Sequence, residues 1–152
     1  MNYWLMKSEP STFSVDDLAA SPRKITAWDG VRNFQARNML RDDFRAGDLA
    51  FFYHSSCDQP GVVGVMEVVK GGYADPSQFD PESKYFDPAS NRDAPRWFCA
   101  DVKLKRKLGR VIGLDELRRK KPLAKLALLQ RGNRLSVMPV AKADWDFILS
   151  LE

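Results

Sequence analysis

The chain has 152 residues, 44% hydrophobic and 29% charged, with a formal net charge of +4 and a single histidine. That is the size of one ordinary domain with a core of its own. No apolar run approaches the ~18 residues that would span a bilayer. Two isolated cysteines, Cys57 and Cys99, lack Cys-x-x-Cys spacing and exclude a disulfide scaffold. They read as free thiols in a reducing compartment. The N-terminus MNYWLMKSEP carries no secretion signal, so a cytoplasmic location is expected.

YWLMKSE (3–9) alternates and is aromatic-rich, which predicts a first strand. Ser14-x-x-Asp17 is a capping-box pattern, with Phe13 and Leu18 as its hydrophobic staple, and predicts a short helix at 15–20. Asp29 or Gly30 is expected to open a second helix, with Val31, Phe34 and Leu40 on its apolar side. DLAFFYHS (48–55) and GVVGVMEVV (61–69) read as strands, the second covered on both faces. Gly64 within it marks a close approach by another chain segment.

Residues 70–95 read as a long irregular segment, too rich in aromatics (Tyr73, Phe79, Tyr85, Phe86) to be disordered. RWFCADVKLK (96–105) returns to strand, and a helix at 114–121 and a shorter one at 123–130 follow, separated by Pro122. Gly132-Asn133 turns into the strand RLSVMPV (134–140), and a last helix at 142–151 buries Trp145, Ile148 and Leu149. There are no repeats and no βαβ regularity, so the expectation is one α+β domain over 1–152, built as a small twisted barrel.

Charge is unevenly spread. Residues 103–134 hold twelve Lys or Arg against Asp115 and Glu116 only, leaving twelve bases against eighteen acids elsewhere. A basic side of this kind suits a polyanionic partner, and Arg118, Arg119, Lys120 and Lys121 form its densest run. YHSSC places His54 beside Ser55, but neighbouring strand side chains point to opposite faces, which argues against a nucleophile–base pair. One histidine and two distant cysteines make no metal site. GVVGV has the wrong spacing for a phosphate loop. No catalytic residue, metal or cofactor is expected.

What remains are aromatic and amide groups at element ends. Trp28 stands just before a turn, and Asn33 offers a donor and an acceptor in the first turn of the expected second helix. Lys7 and Ser8 end one strand, and Tyr53, His54 and Ser55 end another.

WLMKSEP (4–10), WDGVRNFQARN (28–38), FYHS (52–55), GVVGVMEVV (61–69), YFDP (85–88), RW (96–97) and RLSVMPV (134–140) together resemble the EVE domain, in order and through nearly the whole chain. The resemblance implies a PUA-like β-pseudobarrel with flanking helices, related to the YTH readers of methylated adenine. It further implies a nucleic-acid-binding module that receives a modified base of DNA or RNA; a stand-alone reader, a monomer and no membrane partner are expected. By the same resemblance Trp28 would be one wall of an aromatic cage, and Tyr85 or Phe86, before Asp87, the second. Asn33 would read the base edge, Lys7 and Ser8 would line the floor, and Arg134 and Ser136 would contact phosphate or sugar. On that picture Trp28→Ala should weaken binding and leave the fold intact. A small-molecule or methylated-peptide binder using the same pocket, or a base-modifying enzyme, are the alternatives.

Overall fold

The computed structural model describes residues 1–152. Six strands form one mixed sheet: β1 (Tyr3–Ser8), β2 (Ile25–Trp28), β3 (Leu49–His54), β4 (Gly61–Ala74), β5 (Phe98–Gly113) and β6 (Val137–Pro139). Their order is β2-β5-β4-β3-β1-β6. Only the β1/β3 pair is parallel; the other pairs are antiparallel. The ladder does not close, since β2 and β6 remain edges. The fold is thus α+β, with four helices: α1 (Val15–Ala20), α2 (Phe34–Asp42), α3 (Leu114–Arg118) and α4 (Lys142–Ser150).

Side-chain alternation along β1 and β3 sorts residues onto two cores, one on each face of the sheet. Trp4, Met6, Ala50 and Phe52 pack with Val15 and Leu18 of α1 and with Ala36 and Leu40 of α2. Leu5, Phe51 and Tyr53 pack with Leu117 of α3 and with Trp145 and Ile148 of α4. In the latter core the Phe51 and Trp145 rings stack at 3.8 Å. At α1 the capping box is complete: Asp17 N donates to Ser14 Oγ (3.1 Å) and Ser14 N to Asp17 Oδ2 (2.8 Å).

Several boundaries differ from the sequence expectations. β4 runs on to Ala74 and β5 to Gly113, as a long hairpin with four register irregularities. Bulges re-aim the strands locally, and the lysines and arginines that continue the ladder stay at the surface. α3 stops at Arg118, and 3-10 turns at Lys121–Leu123 and Ala127–Leu129 replace the expected second helix. β6 shrinks to three residues. α2 opens at Phe34, not at Asp29 or Gly30, because Gly30 has φ +77° and breaks the helical path. Phe34 consequently sits outside the core, 53% exposed.

Two glycines of β4 explain how closely α1 and α2 approach the sheet. A Cβ at Gly64 would meet Val15 Cγ2 at 3.0 Å, the close approach its place in a strand suggested. At Gly72 the clash would be with backbone: the added carbon would lie 2.2 Å from the Leu40 carbonyl oxygen. Backbone cannot yield as a side-chain tip can. Gly72→Ala should therefore push the end of α2 off β4 and destabilise the protein by about 1–3 kcal/mol, read as a lower midpoint in urea unfolding.

Candidate functional site

A cleft of about 550 Å³ opens on the first-core face, within the range of small-ligand sites. Its walls come from the end of β1 (Lys7, Ser8), the loop before α1 (Glu9, Thr12, Phe13), β2 and the turn after it (Thr26 to Asn33), and the far loop (Lys84, Tyr85). Ser136, before β6, completes it and accepts at its carbonyl from Lys7 N (2.8 Å).

One buried carboxylate ties these elements together. Asp75 is fully buried, and its Oδ2 accepts from Gly30 N (2.8 Å) and Arg32 Nη1 (3.1 Å). Its Oδ1 accepts from the Ser77 amide (2.8 Å) and hydroxyl (2.6 Å). Burial alone would raise this carboxyl; the hydrogen bonds from Ser77, Gly30 and Arg32 outweigh it and hold the group below the ordinary carboxylate range. Arg32 then reaches on to the Tyr85 carbonyl (2.8 Å) and lies over the Tyr85 and Trp97 rings at 5.5 and 5.3 Å. Gly30 must be glycine twice over, since its φ is positive and a Cβ would enter the Tyr85 ring at 2.5 Å. Gln78 clamps the rest of the loop, donating to the carbonyls of Asp75 and Trp97 and accepting from Trp97 N and Ser90 Oγ.

Trp28 lines the cleft but is only 7% exposed, with its ring edge-on to Phe52 at 5.1 Å. It is wall and core at once. Tyr85, not Phe86, faces the cleft. Phe86 is 40% exposed and lies outside the lining. Asp87 turns away as well, accepting from the Trp97 indole at 2.7 Å, a bond that keeps its carboxyl ionised below the usual range. Asn33 is the N-cap of α2 and not part of its first turn: Oδ1 accepts from Ala36 N at 3.0 Å, and the amide N–H groups are left uncommitted. Ser8 Oγ donates to the Phe13 carbonyl (2.6 Å).

The strand-end group at 53–55 does not join the cleft. Tyr53 points into the second core, 2% exposed, and burial pushes its phenol up to about 12. His54 accepts at Nε2 from Val15 N (3.1 Å), so it anchors α1 and has no free base nitrogen there. Burial, foremost, keeps it below the ordinary histidine value. Ser55 N donates to the Ser8 carbonyl (3.0 Å). Cys57 and Cys99 are unbridged; burial pushes the Cys99 thiol up to about 12, which makes it a poor nucleophile. No cluster of three or more His, Cys, Asp or Glu is arranged for a metal ion.

The basic segment divides. Lys105, Arg106, Lys107, Arg110 and Arg118 are paired with Glu67, Glu152, Asp16, Glu116 and Asp115 respectively. Arg118, Arg119, Lys120 and Lys121 belong to α3 and the turn behind the second core, outside the cleft lining. Arg134 lies with Arg131 in a second, shallower depression of about 400 Å³ that shares Asn33 with the first.

Sequence reasoning passed over Asp75, Ser77 and Gln78, which hold the site, and Asp29 and Lys84, which line it. Asp75 before Pro76 is an N-cap followed by a first-turn proline, a local signal that was there to be read.

A six-stranded α+β sheet with an aromatic, polar-rimmed cleft at the ends of β1 and β2 defines a small ligand-binding fold. Residues 2–151 match the EVE domain family, and the chain belongs to it. It is 46% identical over 168 aligned positions to thymocyte nuclear protein 1 of Rattus norvegicus, spanning 99% of this chain and 74% of that one. Among solved structures, a Pseudomonas syringae protein shares 46% identity with TM-score 0.93, covering 98% of both chains. Human THYN1, crystallised in complex with 5-methylcytosine-containing DNA, shares 42% identity with TM-score 0.94, covering 99% of this chain and 97% of that one. No helix is long and apolar enough to cross a membrane.

Two outcomes follow from this geometry. Asp75→Asn should cost about 3 kcal/mol, the low end for breaking a buried pair since Arg32 keeps 23% exposure, with faster amide exchange across residues 29–33 and 76–86. His54→Gln tests the anchor of α1. The folded His54 is depressed relative to the unfolded chain, so its stabilising contribution is complete above the unfolded value near 6.5 and fades as pH falls through the folded one. Glutamine offers an acceptor that does not titrate. Between pH 7 and 5 the wild type should lose stability faster than the variant, by at most about 1.4 kcal/mol per pH unit.

Proposed function

We propose that this protein is a reader of a modified base in DNA, without enzymatic activity of its own. The observation that carries it is the cleft between Trp28 and Tyr85, with the Asn33 amide at its mouth, in a chain 42% identical to a protein crystallised with 5-methylcytosine-containing DNA. Stacking on an aromatic face is worth about 1–3 kcal/mol per base, and extruding a base from a duplex costs a few kcal/mol. Two faces would roughly offset that cost, leaving net affinity to phosphate contacts. Lys7, Lys84, Arg131 and Arg134 border the two depressions, and none of them is in an ion pair. We assign the backbone contacts to these four and to Ser136, ahead of the run at 118–121.

The one histidine is not placed for turnover of a bound base: His54 Nε2 is engaged with a backbone N–H and lies outside the cleft lining. A small molecule would fill the cleft equally well but would leave the unpaired arginines beside it without a role. Two free thiols fit a reducing compartment that holds nucleic acid: the nucleus, as the relatives' name suggests, or the cytoplasm of a cell without one.

Binding of oligonucleotides carrying one 5-methylcytosine provides the test. Tyr85→Ala keeps the backbone carbonyl that holds Arg32 and should weaken binding by about 1–3 kcal/mol. Trp28→Ala is a poorer probe than the sequence suggested, because truncating a ring buried against Phe52 also costs about 3–5 kcal/mol of stability; Trp28→Phe is the cleaner change. Log K against log salt should fall with a slope of about −4 if four phosphates are met, and Arg134→Ala should reduce it by about 1. A salt-independent affinity, or full affinity in Tyr85→Ala, would overturn the proposal.

A further inference from the structure

Two polar side chains of the cleft have opposite hydrogen-bonding valence. Asn33 Oδ1 already accepts from the Ala36 N–H, while both N–H donors of its amide are uncommitted, so toward a ligand it acts chiefly as a donor. Asp29, next to the Trp28 wall, is an exposed carboxylate lining the same cleft, and it can only accept. It enters no ion pair.

An unpaired carboxylate is a poor choice for the wall of a cleft meant for a polyanion. It repels phosphate, and Asp75 stands close enough to repel it in turn, adding to the partial desolvation that raises its carboxyl above the ordinary range. Lys84 and Arg32 are near enough to temper that charge, yet neither closes on it as an ion pair. The charge is left available. Its cost is explained if a ligand supplies the missing donor.

We propose that Asp29 is the specificity-determining residue of the cleft, accepting a hydrogen bond from the exocyclic amino group of the bound base while Asn33 donates to a ring nitrogen or carbonyl beside it. The inference rests on the reader function proposed above and gives it a substrate class: a base whose edge runs donor then acceptor, as in 4-aminopyrimidines. A 4-oxopyrimidine places a carbonyl against the carboxylate, where two acceptors face each other without a proton. Carboxylates pair with the cytosine amino group in the same sense where proteins read base edges.

5-Methylcytosine and thymine separate the edge from everything else, because both have the same ring and the same methyl group and so stack alike. Single-stranded oligonucleotides differing only in that central base should bind the wild type with a preference for 5-methylcytosine of about tenfold or more. Asp29→Asn, which can turn either an acceptor or a donor toward the base, should bring the two affinities to within about twofold, chiefly by improving the thymine oligonucleotide. Asp29→Ala should also erase the preference, by weakening the 5-methylcytosine complex. The residue is exposed, so both variants should unfold at the wild-type temperature. A preference that survives in both variants, or equal wild-type affinities, overturns the inference and leaves the reader function standing. Binding of neither oligonucleotide overturns both.

Discussion

The salt bridge between Asp75 and Arg32 is the constraint on which the site depends. A carboxylate removed from water must have its oxygens satisfied, and here four donors from two separate segments do so. The turn after β2 cannot move without stripping a bond from that carboxylate, nor can the start of the long loop. Arg32 extends the same constraint to the Tyr85 carbonyl, so the two aromatic walls belong to one electrostatic unit although they lie far apart in sequence. Pre-organisation of this kind lowers the ordering cost of binding, because neither wall must be immobilised by the ligand.

Alternation along β1 and β3 separates Ser8 from Tyr53 at the strand ends. Ser8 follows Trp4 and Met6 toward the first core, where the cleft lies, while Tyr53 follows Phe51 toward the second. His54 falls on the correct face but is taken by the N-terminus of α1. Its ring also packs edge-on to Phe52, itself in edge contact with Trp28. The histidine thus supports the wall from behind without lining the cleft, and a sequence containing only one histidine has used it for structure.

Charge follows a related logic. Exposed pairs such as Lys107–Asp16 and Lys105–Glu67 contribute little to stability individually. They do neutralise much of the long hairpin, so the basic segment is less basic as a surface than as a string of letters. The cations beside the cleft remain unpaired and available to a phosphate backbone. Opposed to them, Asp29, which enters no ion pair, gives the cleft a polarity that net charge does not express.

Much of the fold was legible in the sequence, because its determinants are local. Alternation placed β1, β3 and the starts of β4 and β5; a four-residue capping pattern placed α1; the glycine inside GVVGV announced the contact with Val15. Of the residues singled out in the sequence, Trp28, Asn33, Tyr85, Lys7, Ser8 and Ser136 line one cleft. What the sequence could not decide was direction and partnership. Tyr85 and Phe86 are adjacent aromatics, and only the seat above Gly30 selects the first. Asn33 could cap or bind, and the free Ala36 N–H of α2 claims its oxygen. Asp75 and Arg32 lie 43 positions apart, and nothing local marks them as a pair. Local patterns follow from the geometry of a few consecutive residues, whereas a buried charge finds its partners only when the whole sheet has brought distant segments within hydrogen-bond reach of one another.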